Sequence, residues 1–115
     1  MKTGSGIYNY HDGGKYDGSW DKDKKNGIGE YRWASGSIYK GSWANDNTNG
    51  IGLRWYPNGN FFQGTYKDDK RDGLFIIKFK ASGNTAVAEY QDGLKEGLRA
   101  EHTSSGIIWV TISKD

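Results

Sequence analysis

Glycine recurs along this chain with a fixed period of 23 residues. Gly13, Gly36 and Gly59 are 23 residues apart, and a parallel series includes Gly27 and Gly50. After a slip of one residue the period continues into the last third of the chain, so that 16 of the 18 glycines fit it. A repeat of this length indicates an array of one small supersecondary unit, which constrains the fold more strongly than any local propensity.

Each repeat has the pattern of a β-hairpin. In residues 13–35 the first half reads YxGxW and the second reads GxGxYxW, so each half presents glycines and rings on one face of a strand. Glycine beside an aromatic residue leaves room for the ring to lie on the neighbouring strand. A polar connection, DKDKKN, separates the two halves, and a polar residue followed by glycine forms each return turn, which favours φ > 0.

Successive hairpins that pair edge to edge predict an all-β fold. We expect an elongated, twisted, single-layer antiparallel β-meander of stacked 23-residue hairpins, with no significant helix. At a strand spacing of about 4.8 Å, the ribbon should be on the order of 45 Å long. We expect one domain, and its predicted units are a partial repeat at 4–12, repeats at 13–35, 36–58 and 59–82, a degenerate repeat at 83–105, and a C-terminal capping strand at 106–115.

Composition excludes several function classes. Only 34% of residues are hydrophobic but 15% are aromatic, so the core is expected to be shallow and built from Tyr and Trp. The net charge of +2 comes from 16 basic and 14 acidic residues that are well mixed, which does not predict nucleic-acid binding. The absence of cysteine excludes disulfides, thiolate metal sites and a cysteine nucleophile.

No group of residues points to catalysis or to a metal. The two histidines, His11 and His102, have no partners that would complete a catalytic set, and Asp21 and Asp23 are interleaved with lysines, which argues against a calcium loop. The Gly-x-Gly pairs continue as strands and lack the third glycine that opens a helix in a dinucleotide site. The sequence therefore predicts a protein that is not an enzyme and has no cofactor and no metal.

Two copies of the motif resemble a known family. YDGSW followed by NGIGEYRW, and YKGSW followed by NGIGLRWY, resemble the MORN repeat, a 23-residue hairpin with a Tyr-x-Gly-x-Trp strand and a Gly-x-Gly strand. The resemblance covers about residues 4–106, with departures such as Tyr66 in place of tryptophan and Phe75 in place of the second glycine. It implies a binding role, because such repeats occur in ciliary radial spokes, in junctional membrane scaffolds and in small adaptors that hold a peptide.

The aromatic rows form the candidate site. Tyr16, Tyr39 and Phe62 are expected in one row, with Trp20, Trp43 and Tyr66 in a second row beside it. The rings can serve as the core, or one edge can stay accessible as a groove whose exposed hydroxyl edges meet a partner. A single-layer sheet has no second layer to cover this face, which favours the groove. The predicted partner-binding residues are Tyr16, Trp20, Tyr31, Trp33, Tyr39, Trp43, Tyr56, Phe62 and Tyr66.

The C-terminal segment IIWVTI is apolar on both faces of its expected strand. Such a strand needs cover or a neighbour along its edge, so it is either a cap that folds back or a docking strand for another subunit. The possible docking residues are Ile107, Ile108, Trp109, Val110 and Ile112.

We predict a non-catalytic protein-interaction module that binds a partner segment on its concave aromatic face. The alternatives are a small structural subunit of a large ciliary, axonemal or organellar assembly, and a peripheral binder of phosphoinositides or other anionic lipids. Protein partners are the main expectation and lipid is a weaker one, because aspartates offset the basic residues. Homo-oligomerisation stays open. The sequence shows no secretory signal and no membrane-spanning segment, so an intracellular location is expected, either cytoplasmic or cytoskeletal and ciliary.

Overall fold

The computed structural model describes the backbone of residues 2–91, 93–102 and 108–113, and the side chains of residues 2–91 and 93. Ten strands form one antiparallel sheet in chain order, and the described ranges contain no helix. The predicted all-β meander is thus confirmed, and its extents of 52 × 25 × 19 Å match an elongated ribbon. The strands are β1 (Gly4–Asn9), β2 (Lys15–Asp21), β3 (Lys24–Arg32), β4 (Ile38–Ala44), β5 (Asn47–Trp55), β6 (Phe61–Lys67), β7 (Lys70–Lys78), β8 (Thr85–Gln91), β9 (Leu94–His102) and β10 (Ile108–Ser113).

The turns within the hairpins are shorter than the sequence suggested. Lys22 and Asp23 alone join β2 to β3, and both have positive φ, at 50° and 66°. The equivalent pairs at 45–46 and 68–69 also have positive φ. Two such residues define a type I′ turn, whose twist matches that of the flanking strands. The six-residue polar connection expected at DKDKKN was therefore wrong, because most of it belongs to the strands.

Aspartate ties each hairpin tip to the preceding hairpin. Asp46 Oδ1 accepts a hydrogen bond of 2.7 Å from the backbone N–H of Lys25, and the N–H of Asp46 donates to the Lys25 carbonyl at 3.0 Å. The same pair of bonds recurs one repeat earlier and one repeat later. Positive φ is costly for a residue other than glycine, and a charge-assisted hydrogen bond to a backbone N–H offsets that cost.

The return turns between hairpins follow the predicted polar–glycine chemistry. Gly36 has a φ of 102°, and its N–H donates to the Trp33 carbonyl at 3.0 Å. The N–H of Trp33 in turn donates to the Ser37 carbonyl at 2.9 Å and closes the turn. Glycine is required at this position because a side chain rarely adopts this φ.

The core is a single file of aromatic rings on one face of the sheet. Consecutive rings meet edge to face at centroid separations of 5.0–5.4 Å, a geometry that adds to the burial energy of each ring. We call this file the ring chain, and the face that carries it the aromatic face. Its members in spatial order are Trp20, Tyr16, Trp43, Tyr39, Tyr66, Phe75 and Tyr90.

Paired glycines allow these rings to lie directly on the backbone. Gly41 and Gly52 are register partners in β4 and β5. The Tyr39 ring covers both of them, and a Cβ atom on Gly52 would lie 2.6 Å from Tyr39 Cζ. The predicted role of glycine as space for a neighbouring ring is confirmed.

In the third repeat the fully buried ring comes from the other strand of the hairpin. Phe62 stands at the tyrosine position, yet its ring is partly exposed and contacts Tyr56 at 5.1 Å. Phe75, at the glycine position, is fully buried and lies between Tyr66 and Tyr90. The predicted row of Tyr16, Tyr39 and Phe62 is therefore wrong at its third member, because Phe75 fills the core from the partner strand.

Candidate functional site

The structure divides the nine predicted partner-binding residues into a core and a partly exposed row. Five of them are at most 7% exposed and belong to the ring chain, namely Tyr16, Trp20, Tyr39, Trp43 and Tyr66. The other four keep part of their surface open, and we call them the partly exposed row: Tyr31, Trp33, Tyr56 and Phe62. Of these nine residues, only the second group presents substantial accessible ring surface on the aromatic face.

Two of the buried tyrosines, Tyr16 and Tyr39, do not present their hydroxyl groups to a partner. The hydroxyls of Tyr16 and Tyr39 donate hydrogen bonds of 2.9 Å to the carbonyls of Ser19 and Ser42. Burial raises the pKa of Tyr16 to about 12 and also raises the pKa of Tyr39. The expected exposed hydroxyl edges are therefore wrong for these two residues, because their hydroxyls satisfy backbone carbonyls.

Lys25 lies over the rings rather than in a solvated loop. Its side chain is only 14% exposed, and its ammonium lies 3.5 Å from a carboxylate oxygen of Asp46. Four ring centroids surround the ammonium at 5.4–5.7 Å, those of Tyr10, Tyr16, Tyr31 and Trp43. Each ring face attracts the cation electrostatically. Sequence reasoning missed this residue because it assigned the lysine to the connection.

Other cations occupy equivalent positions at the 23-residue period. The Lys2 ammonium lies 4.6 Å from the centroid of Tyr8. The Arg71 guanidinium lies 4.2 Å from the centroid of Phe62 and donates a hydrogen bond to Tyr56 Oη. The spacing of Lys2, Lys25 and Arg71 was a visible signal for these contacts.

Thr48 breaks this series of cations and leaves an opening. Its N–H and hydroxyl both donate to Asp69 Oδ1, at 2.7 and 3.2 Å, and the short side chain does not reach across the rings. A cavity of about 270 Å³ lies at this point. We call it the Thr48 cavity, and its lining residues are Lys25, Tyr31, Trp33, Trp43, Asp46, Thr48, Arg54, Tyr66 and Asp69.

Arg54 crosses the aromatic face beside the Thr48 cavity. Its guanidinium carbon lies 4.0 Å from the Trp33 centroid and 4.8 Å from the Tyr56 centroid. Its Nε atom is buried without a hydrogen-bond partner, and so is the hydroxyl of Tyr66. Burial raises the pKa of Tyr66, although the charges of Arg71 and Arg54 act in the opposite direction. Two unsatisfied polar atoms thus belong to residues that line one cavity.

The opposite face of the sheet carries a second regular feature. Ile28, Ile51 and Leu74 recur at 23-residue intervals and are 66%, 71% and 58% exposed. Each is the residue between the two positions of the Gly-x-Gly pattern. Alternation along the strands places them away from the ring chain.

The predicted docking strand can be assessed only in its backbone. Residues 108–113 form β10, which pairs with β9 as the last strand of the sheet. Ile107 and the side chains of Ile108, Trp109, Val110 and Ile112 lie outside the described residues. The choice between a cap and a docking strand stays a prediction.

The described part of the aromatic face carries rings and charged side chains. Among the described side chains, no three His, Cys, Asp or Glu residues lie close enough to hold a metal ion. The part of the chain that the structure describes contains no helix that is long and apolar enough to cross a membrane. Rings, two cations and two carboxylates instead border an open cavity.

Comparison with known families identifies the repeated hairpin as a known repeat. The MORN repeat matches at three consecutive positions, residues 16–38, 39–61 and 62–74, which together cover just over half of the chain. No curated protein matches the sequence. MORN repeats are non-enzymatic modules that generally mediate interactions with proteins or membranes. This chain therefore belongs to the MORN repeat family.

Proposed function

We propose that this chain is a non-catalytic interaction module that holds a segment of a partner protein on its aromatic face. The observation that carries the proposal is the Thr48 cavity of about 270 Å³, which opens between Trp33 and Tyr66 in the regular part of the array. The segment would lie along the partly exposed row and place side chains into this cavity.

The chemistry of the face suits a peptide. Trp33 and Tyr31 are of the residue types that dominate interface energetics, since a rigid ring offers a large contact area with little loss of entropy. Their ring centroids are 4.6 Å apart, and the Arg54 guanidinium also packs against the Trp33 ring. This support fixes both rings before a partner arrives, which lowers the entropic cost of binding.

Replacement of Trp33 by alanine should weaken peptide binding by at least about tenfold, as expected for a hot-spot tryptophan. Random dodecapeptides displayed on phage would be selected on the purified wild-type protein. The affinity of the recovered peptides for wild type and for Trp33→Ala would then be measured by isothermal titration calorimetry. Loss of affinity is expected because the peptide loses its contact with the exposed indole.

Trp55→Ala is the matched control for this experiment. Trp55 is also partly exposed, but it lies on the opposite face against Phe61. Its replacement should leave the affinity unchanged. The proposal is contradicted if no peptide is recovered above background, or if the recovered peptides bind Trp33→Ala as tightly as wild type.

A subunit of a larger assembly is the second candidate function. The exposed row of Ile28, Ile51 and Leu74 favours it, because a repeated apolar row is typical of a surface that is covered in a complex. Size-exclusion chromatography of extract from the source cell should then recover the chain mainly at a large apparent mass. Elution mainly at the position of the free 12.9 kDa chain would count against this candidate. A cytoplasmic or ciliary location, and binding to anionic lipid, are weaker proposals that no particular contact supports.

A further inference from the structure

We infer that the Thr48 cavity is a carboxylate-binding subsite, which takes the side chain of an aspartate or glutamate from the partner segment. This inference rests on the proposed function and names the chemistry of the partner at one position. It depends on three independent observations. A threonine, Thr48, replaces the cation of the neighbouring repeats. Arg54 Nε and the Tyr66 hydroxyl lack hydrogen-bond partners, and Arg54 has no carboxylate partner.

The cavity lies where the neighbouring repeats fill the same space with their own side chain. Lys25 and Arg71 reach over the rings at this repeat position, whereas Thr48 ends at its bond to Asp69. Among the repeat positions in residues 2–91, Thr48 is thus the one at which no long cationic side chain crosses the rings. A ligand group can enter at this point without displacing a resident side chain.

The two unsatisfied atoms belong to residues that line the cavity, and both carry a hydrogen-bond donor. Arg54 Nε carries one N–H, and the Tyr66 hydroxyl carries one O–H. Tyr66 is only 5% exposed, and its hydroxyl proton has no acceptor within the described residues, since the nearby Arg71 can only donate. A buried donor without an acceptor destabilises the fold, so its presence indicates an acceptor that arrives from outside. A carboxylate has two oxygens and can accept from both donors.

The two cations and two carboxylates that line the cavity balance in formal charge, and the donor capacity of Arg54 is the part left unused. Arg54 forms no ion pair with any carboxylate that the structure describes. Asp46 is already paired with Lys25. Asp69 Oδ1 already accepts two hydrogen bonds from Thr48. Arg54 is thus the lining cation that has no carboxylate partner, and a charge-assisted bond to its guanidinium is stronger than a neutral one.

The rings beside the cavity suit the rest of an acidic side chain. Trp33 and Tyr31 would pack on the methylene groups of glutamate or aspartate while the carboxylate reaches Arg54 and Tyr66. A free phosphate or a lipid headgroup lacks this apolar stem. The inference is therefore limited to a peptide side chain.

The phage-selected dodecapeptides provide the test. Peptides recovered on wild type should share an aspartate or glutamate at one position. Amidated soluble versions, with glutamate or with glutamine at that position, would be compared by calorimetry. On wild type the change to glutamine should weaken binding by at least about tenfold. On Tyr66→Phe and on Arg54→Gln the same change should have little effect, since the acceptor has lost its donor.

Arg32→Gln removes a guanidinium from the opposite face and should leave the preference for glutamate intact. Tyr66→Phe should also unfold at the same urea concentration as wild type or at a higher one, since an unsatisfied hydroxyl contributes nothing to the fold. A lower midpoint for Tyr66→Phe would overturn the inference, because the hydroxyl would then have a structural partner. Peptides that bind through Trp33 but tolerate glutamine equally well would overturn it and leave the proposed function standing. Failure of all peptides to depend on Trp33 would remove both.

Discussion

Gly52→Ala is expected to lose about 3 kcal/mol in free energy of unfolding, near the upper end of overpacking effects in well-packed cores. The added Cβ would lie 2.6 Å from Tyr39 Cζ, and Tyr39 is fully buried with its hydroxyl bonded to Ser42. The ring cannot move without breaking this bond and its edge contacts to Trp43 and Tyr66. Urea denaturation followed by circular dichroism measures the loss.

Gly6→Ala is the matched control, because Gly6 faces Gly18 in the same file of glycines across the sheet. A Cβ on Gly6 would meet no atom within 4 Å. Neither Gly6 nor Gly52 has positive φ, so the comparison isolates the space beneath the ring. Gly6→Ala should be neutral or slightly stabilising, since alanine restricts the unfolded chain. Equal losses at the two positions would show that the ring is not what requires glycine.

Trp43→Ala is expected to lose about 3–5 kcal/mol, the range for deletion of a large buried aromatic side chain. Trp43 is 6% exposed and lies between Tyr16 and Tyr39 at centroid distances of 5.4 and 5.2 Å. Its Nε1 donates a buried hydrogen bond of 3.1 Å to the carbonyl of Gly29, and the substitution removes this bond. Circular dichroism during urea denaturation measures this effect without relying on tryptophan fluorescence.

The comparison with Trp33→Ala tests the division of the aromatic residues into the ring chain and the partly exposed row. Trp33 contacts Tyr31 and Arg54 but is not a member of the ring chain. Its replacement should cost about 1 kcal/mol, the typical value for a substitution outside the core. A loss as large as that of Trp43→Ala would mean that Trp33 is also a core residue. The partly exposed row would then no longer include Trp33.

The fold could be predicted from the sequence because two kinds of evidence agree. The 23-residue period requires one repeated unit, and the alternation of glycine with Tyr16 and Trp20 requires that unit to be built from strands. Local pattern and global architecture thus specify the same meander. The packing of a ring over glycine, as in Tyr39 on Gly52, could also be predicted, because glycine and aromatic residues alternate regularly in the sequence.

The burial of Phe75 in place of a ring at position 62 could not be predicted in the same way. Phenylalanine for tyrosine at position 62 and phenylalanine for glycine at position 75 each look like a departure from the repeat. Only the packing shows that the Phe75 ring fills the core space that a ring at position 62 would otherwise fill. Phe75 would overlap a tyrosine at position 62 if that tyrosine lay over the backbone as Tyr39 does, since its ring occupies the space above Gly64. Compensation between two strands depends on volume, which a pattern of residue types does not report.

The candidate site was predicted only in part. Sequence alternation places all nine aromatic residues on one face, but it does not separate fully buried Tyr16 from partly exposed Tyr31. Arg54 was missed because a charged residue at a tyrosine position looks like a loss of the motif. The Thr48 cavity depends on the reach of side chains over the rings, and so it appears only in three dimensions.

The aspartate bonds at the hairpin tips join residues 21 positions apart along the chain. Each bond therefore links a hairpin only to the one before it, and a whole unit inserted or lost would meet the same partners on both sides. One unit adds two strands, or about 10 Å of ribbon. The length of such a protein can thus change in steps of about 10 Å by duplication or loss of a unit, while the bonds between the hairpin tips keep their pattern. Individual repeats then differ through single replacements such as Thr48, and these replacements leave the backbone hydrogen bonds of the hairpin tip in place.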